Sequence, residues 1–393
     1  MRPGLARCFA WTLASASWAY GAARGGFGAA AVLRRSLSSV GEVDRHFLPS
    51  RRTALAFRLL VLLRFLRGRN DVHRPWARGY LARARRELPR APARATPVPE
   101  LDLAAAATLG PSLRQHPRPW VIRGGAPLAR DWSLAALREA FPRTPVWVRD
   151  RDHFAWEALG RLGAGDARYV ANSEQLLLRH PELVRQLDVD RYRAWTGGRP
   201  YALQLFLGAR SGSGLSFHCA NNLNLFTMLH GRKRWTFVDP AYSYAMYPWV
   251  TRDAAYVASI LDHPDIPSSH TDLFASCPRE EVVLEPGDVL VSPPWWWHRV
   301  ENLDPDTVGA ASRWTLSWLP DTNRLFSFAQ LFSPALLRAT VDTVAELLEN
   351  GGSLEARYAR GADERAPTAI ERVAHTEEQL LPGQLGRACW SRS

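Results

Sequence analysis

The chain reads as a mainly β protein, a β-sandwich or jelly roll carrying helices at both ends. Three observations point there. Between residues 201 and 320, short apolar runs recur between turns rich in Gly and Pro, the spacing of a folded-over antiparallel sheet. Longer helical patterns fall outside that stretch, at 53–66, 334–349 and 369–381. The composition is ordinary globular, with 46% hydrophobic and 22% charged residues, which excludes a disordered or collagen-like chain. Sixteen Trp imply a large aromatic core or cleft, and 393 residues allow one large domain with extensions, or two.

Taken in order, residues 1–41 contain no acid and five Arg, with Ser and Ala throughout. That composition fits an organelle transit leader of mitochondrial or plastid type. The uncharged run 8–23, followed closely by Arg24, also fits a secretory signal or anchor that would touch a membrane before processing, or an unprocessed cytoplasmic tail. It is short for a span, which needs about 20 apolar residues. Residues 42–99 form a basic arm. Within it, 53–66 (TALAFRLLVLLRFL) reads as an apolar helix whose arginines fall on several faces, the pattern of a helix packed on a domain rather than lying on a bilayer. Residues 88–99 are rich in Pro and Ala and read as a linker. A domain then covers 100–335, and C-terminal helices with a tail cover 336–393.

Within the domain, Trp120-Val121-Ile122 predicts a strand ending at Gly124-Gly125. Leu134 to Phe141 predicts a helix with Ser133 as N-cap. Pro145 to Val148 predicts a strand and Ser173 to Leu187 a helix. Further strands are predicted at 201–208, 223–229, 234–238, 281–284, 289–292, 299–302 and 313–318. The two predicted C-terminal helices suit either a homodimer contact or packing on their own sheet.

The net charge of +12 is not spread evenly. Residues 1–100 hold 19 Arg and five acids, while the other 293 residues carry 31 basic and 33 acidic groups. The folded body is near neutral, which argues against a nucleic-acid-binding module. Of the 50 basic residues, 49 are Arg and one is Lys233. Four cysteines (Cys8, Cys219, Cys277 and Cys389) show no paired spacing, so neither a disulfide framework nor a Cys-based zinc site is implied.

Two segments carry chemistry. The first runs Ser216-Phe217-His218-Cys219-Ala220-Asn221-Asn222-Leu223-Asn224 and continues to His230-Gly231-Arg232-Lys233-Arg234-Trp235. The second runs Glu285-Pro286-Gly287-Asp288, then Pro293-Pro294-Trp295-Trp296-Trp297-His298. Together they closely resemble the cupin-like branch of the JmjC oxygenases, over about 200–320, with weaker likeness back to about 118. The resemblance implies a double-stranded β-helix of the cupin/JmjC type, with Fe(II) and 2-oxoglutarate as cofactors and a protein or a small molecule as hydroxylation substrate. It implies His218 and His298 as metal ligands, and imidazole suits Fe(II) in a facial site with open positions. It makes Lys233 the partner of the distal carboxylate of 2-oxoglutarate. Asn224 would face the cosubstrate, Thr227 and Ser317 are further cofactor-binding candidates, and Trp297 would wall the metal. Alternation puts Lys233 inward and Arg232 and Arg234 on the opposite face.

The sequence departs from that family at one decisive place. The first motif should read His-x-Asp or His-x-Glu, and here it reads His218-Cys219-Ala220. Three readings follow: an oxygenase with Asn222 or a water as substitute ligand, a halogenase-like site with a halide in the vacancy, or a non-catalytic cupin-like binding or scaffold protein. Cys219 points to the opposite face on alternation and is a poor ligand.

Overall fold

The computed structural model describes residues 50–67, 74–87, 94–150, 153–250, 256–259, 272–314, 316, 319, 321–349, 357, 358, 368 and 371. The leader, Ser317 and nearly all of the second predicted C-terminal helix lie outside them. Sixteen strands are described: β1 (Ala95–Pro97), β2 (Glu100–Leu101), β3 (Trp120–Ile122), β4 (Pro145–Asp150), β5 (His153–Ala158), β6 (Tyr169–Ser173), β7 (Pro200–Gly208), β8 (Gly214–Ala220), β9 (Leu223–His230), β10 (Lys233–Val238), β11 (Pro248–Val250), β12 (Tyr256–Ser259), β13 (Arg279–Leu284), β14 (Val289–Ser292), β15 (Trp297–Asn302) and β16 (Thr307–Trp314).

One sheet has the order β1-β13-β10-β15-β8-β12-β11, the other β2-β3-β14-β9-β16-β7-β6-β4-β5. At their centres, β13-β10-β15-β8 faces β14-β9-β16-β7, and every neighbouring pair within these quartets is antiparallel. Within these quartets successive strands mostly switch sheets, so the expected mainly β jelly roll is present. Side chains alternate along each strand, and one row from each meets the other sheet across the core. On β9 the inward row is Asn224, Phe226 and Met228, whereas Leu223 and Leu225 pack outward with Tyr192, Trp195 and Trp314.

Most predicted elements form, with informative exceptions. Ser133 caps the helix Leu134–Ala140 by accepting from the Ala136 N–H at 3.1 Å. The predicted helix over 173–187 breaks into Gln175–Arg179, Pro181–Val184 and a 3-10 turn, because Pro181 cannot continue the first segment. The last described strand begins at Thr307, six residues before the predicted start, and runs to Trp314; of the rest of the predicted strand only residue 316 is described, outside any strand. Part of the expected linker is structured: β1 pairs with β13 in parallel register at a sheet edge, where Pro97 is tolerated.

The basic arm joins the core. The helix Arg51–Arg67 buries Phe57, Leu60, Val61 and Phe65 in the same cluster as Tyr244, Trp295 and Phe326, as its apolar pattern predicts. Phe57 sits 4.0 Å from the Tyr244 ring. Each such side chain contributes about 1.5–3 kcal/mol by burial. Arg64, 2% exposed, donates to the Pro248 carbonyl at 2.6 Å, so one of the arm's charges is enclosed. No helix among the described residues is long and apolar enough to cross a membrane.

Candidate functional site

Strands β8 and β15 set His218 and His298 directly opposite each other. The register slips between that pair and the next, Leu215 with Val300. Two residues of β8 (Ser216 and Phe217) thus oppose one of β15, a bulge that turns both Leu215 and His218 inward. The imidazole centroids lie 4.2 Å apart at 60°. Each ring is oriented from behind by a backbone carbonyl at its Nδ1: Ser216 at 2.8 Å for His218, and Trp296 at 2.9 Å for His298. With Nδ1–H donating, each Nε2 carries its lone pair away from the backbone. Desolvation, with the nearby positive charge of Arg313 as a lesser cause, holds both imidazoles well below the ordinary histidine pKa.

The cavity at this pair is lined by His218, His298, Ala220, Asn222, Asn224 and Arg313, with Tyr256 and Ser292 at its margin. It holds ≈ 230 Å³ of atom-free space, part of it open to solvent. Asn224 is inward as expected, 3% exposed, and its Oδ1 accepts no hydrogen bond. Asn222 also faces the cavity, and its side chain hydrogen-bonds the Tyr201 hydroxyl. The expected aromatic wall is a different residue. Trp297 packs outward, its Nε1 donating to the Ser243 hydroxyl at 2.9 Å, while Trp235 stacks on His298 at 5.3 Å.

Other sequence candidates lie elsewhere. Thr227 falls on the outward row of β9, where its hydroxyl meets the Tyr192 hydroxyl at 2.6 Å; it is one residue out of phase with the inward Asn224 and Phe226. Cys219 is buried in the outer cluster, as alternation requires. Asn221 turns away and donates to the Gln330 side chain at 2.8 Å. Lys233 is inward and fully buried, as predicted, while Arg232 and Arg234 pair outside with Asp304 and Glu301.

Lys233 nonetheless does not reach the histidine cavity. It pairs in register with Asn302, whereas His298 pairs with Phe237, four residues or about 13 Å further along the strand. Its ammonium donates to Asn302 Oδ1 at 2.5 Å and to the Tyr169 and Thr307 hydroxyls at 3.3 Å each. Between the two polar groups lies an aromatic layer: Phe226 and Trp235 meet edge to face at 5.0 Å, and Phe206 lies 5.7 Å from Phe226. Gly309 makes room for that layer, since a Cβ there would stand 2.2 Å from the Phe226 ring. With no carboxylate partner, desolvation pulls the Lys233 pKa down to about 7.

The residue that sequence reasoning missed is Arg313. It is 6% exposed and ends the inward row of β16, opposite Asn224 and Ala202. Its Nε donates to Gln204 Oε1 and one Nη to Asn172 Oδ1, each at 3.0 Å, and both acceptors are neutral amides. The signal was available. With β16 started at Thr307, after Asp304-Pro305-Asp306, alternation puts Arg313 in phase with Ala311 and the close-packed Gly309.

These residues do not fit a divalent iron centre. Two neutral imidazoles supply no charge compensation, Ala220 offers no donor, and the Arg313 guanidinium lines the same cavity. Among the described residues no three His, Cys, Asp or Glu side chains gather as a metal site.

Comparison with known proteins agrees on the domain. A family model described as a cupin-like domain matches residues 149–314. HSPB1-associated protein 1 homolog of Danio rerio is 36% identical over 92 residues, 23% of this chain and 20% of that protein. Arginine-specific demethylase JMJ20 of Arabidopsis thaliana is 28% identical over 96 residues, 23% of this chain and 20% of that protein. The chain thus spans about a fifth of the length of these relatives. The solved structure of Escherichia coli ribosomal oxygenase YcfD aligns with a TM-score of 0.33 and 16% identity, over 53% of this chain and 50% of that one. His218, His298, Asn224, Lys233 and Arg313 all lie within the stretch that matches the cupin-like domain model.

Proposed function

We propose that this protein uses its cupin-like domain to bind a small ligand, and that it does not carry out the Fe(II)- and 2-oxoglutarate-dependent oxygenation its sequence resembles. One observation carries this reading: the cavity at His218 and His298 is lined by Arg313 and, among the described residues, by no carboxylate. A divalent ion there would meet a like charge and only neutral donors. The separation of Lys233 from the cavity, with Phe226 and Trp235 packed between them, supports the same reading.

The test is anaerobic titration of the purified protein with Fe(II) and 2-oxoglutarate, followed by exposure to air. The expected result is no charge-transfer absorption band and no succinate. Stoichiometric succinate from the unaltered protein would overturn the proposal.

A second reading has one observation in its favour. Both histidines are oriented through Nδ1, leaving Nε2 free, as metal-bound imidazoles are. On that reading the chain is an oxygenase of a protein or small-molecule substrate, or a halogenase-like variant, with Asn222 or an external ligand completing the iron site. Protein association, which the name of the HSPB1-associated relative describes for that protein, is proposed for this chain on likeness alone, and so is self-association through the C-terminal helices. Organelle targeting by residues 1–41 remains a proposal from composition.

A further inference from the structure

We propose that Arg313, His218, His298 and Asn224 form a metal-independent binding site for a small carboxylate anion, with preference for one that bears a neighbouring hydroxyl. The proposal rests on the ligand-binding reading above and names the ligand class.

The charge balance comes first. Arg313 is nine-tenths buried, and its two hydrogen-bond acceptors, Gln204 and Asn172, are uncharged. No carboxylate pairs with it among the described residues. Burying a guanidinium without a counter-charge is costly, so such a group calls for an anion. In this domain the open side of Arg313 is the histidine cavity. Planar guanidinium suits the two oxygens of a carboxylate.

The mounting of Arg313 is rigid, as a binding group requires. Its Nε and one Nη are held by Gln204 and Asn172, while Gln204 in turn donates to the Asn172 carbonyl at 3.3 Å. Asn172 holds a left-handed backbone, φ 51°, in the middle of β6. A non-glycine residue keeps that conformation only where its surroundings fix it. The guanidinium also lies 6.0 Å over the Phe206 ring.

The second, independent sign is Asn224. Asn224 lines the cavity, and its Oδ1 is buried with no hydrogen-bond partner among the described residues. Orphaned buried acceptors are rare, and this one asks the ligand for a donor. A hydroxyl beside the carboxylate supplies it. Each imidazole turns Nδ1 to a backbone carbonyl and so presents Nε2 as a further acceptor for such a hydroxyl. Ala220 leaves room where a longer side chain would fill the cavity.

The experiment is calorimetric titration of the full chain, in EDTA and at fixed ionic strength, with glycolate, acetate, 2-oxoglutarate and chloride. Glycolate is expected to saturate one site, acetate to bind about tenfold more weakly, and 2-oxoglutarate to bind no better than acetate. Arg313→Gln should abolish glycolate binding while retaining the native circular dichroism spectrum. Arg313→Lys keeps the charge and should retain weakened binding, which serves as the folding control. Asn224→Leu should erase the preference for glycolate over acetate. Absence of saturable glycolate binding overturns the proposal, as does equal binding by Arg313→Gln, or binding that appears only when Fe(II) is added. Succinate formation alongside metal-free glycolate binding would overturn the functional reading and leave this site standing.

Discussion

Replacing Lys233 by Met should make the protein more stable at neutral pH, against the usual result for a buried hydrogen-bonded residue. Lys233 is fully enclosed and no acid pairs with it among the described residues, and burial takes its pKa from 10.5 to about 7. That gap corresponds to about 5 kcal/mol at most. The sign follows from proton counting. Between pH 7 and 10.5 the unfolded chain holds the lysine proton and the folded chain does not, so stability rises with pH over that window. The contribution is present above 10.5 and is lost as pH falls through about 7. Methionine has similar volume and no charge, so the charge penalty disappears. Against this, Asn302 Oδ1 loses its ammonium donor, at about 1–3 kcal/mol. The net expectation is about 2 kcal/mol of added stability at pH 7, or roughly 4–8 °C in Tm for a domain of this size. Urea unfolding of both proteins at pH 7 and pH 9.5 measures it, and the gap should narrow at the higher pH. Because this is the single lysine of the chain, ¹⁵N-lysine labelling gives one side-chain signal whose titration reads the pKa directly. A folded-state pKa above 9, or a Lys233→Met protein less stable at pH 7, would refute the argument.

Other consequences are open to direct measurement. Ala220→Asp places a carboxylate between the histidines and should raise Fe(II) affinity at least tenfold by equilibrium dialysis, while also offering Arg313 a partner. Phe57→Ala should cost about 3–5 kcal/mol in urea unfolding, because that ring is 1% exposed and packs on Tyr244; an effect under 1 kcal/mol would mean the arm folds apart from the domain. Glu371 is buried beside Glu174, and desolvation, then the Glu174 charge, pushes its pKa up to about 7. Its protonated form is favoured on folding, so this contribution is present below the ordinary carboxylate range and is lost as pH rises through about 7. Hydrogen exchange around Thr368 and Glu371 should therefore quicken between pH 5 and 7.5 after correction for intrinsic rates, and Glu371→Gln should remove that dependence.

The jelly roll and the orientation of its motif side chains were legible in the sequence because both rest on local rules. Gly and Pro turns delimit strands, and period-two alternation assigns faces. That is why Lys233, Asn224, His218 and His298 all point inward and Arg232, Arg234 and Cys219 do not. Where the local rule had the wrong starting point, it failed. A final strand begun too late hid Arg313, and Thr227 sits one residue out of phase with the inward row. The arm's helix was readable as an apolar segment, but its partners Tyr244 and Phe326 are remote in sequence.

By itself, then, the sequence determined the strands, their faces, and the loss of the third ligand at Ala220. Only the tertiary structure decided what occupies the cavity instead. Arg313 lines the same cavity as the histidines because β16 and β8 lie in opposing sheets, and no periodicity along one strand encodes what stands across the core. In a chain where 49 of 50 basic residues are arginine, nothing in composition marks the one that is buried there. The separation of Lys233 from the histidines has the same origin. It depends on Phe226, Trp235 and Phe206 meeting from both sheets, a packing event that strand spacing alone does not reveal.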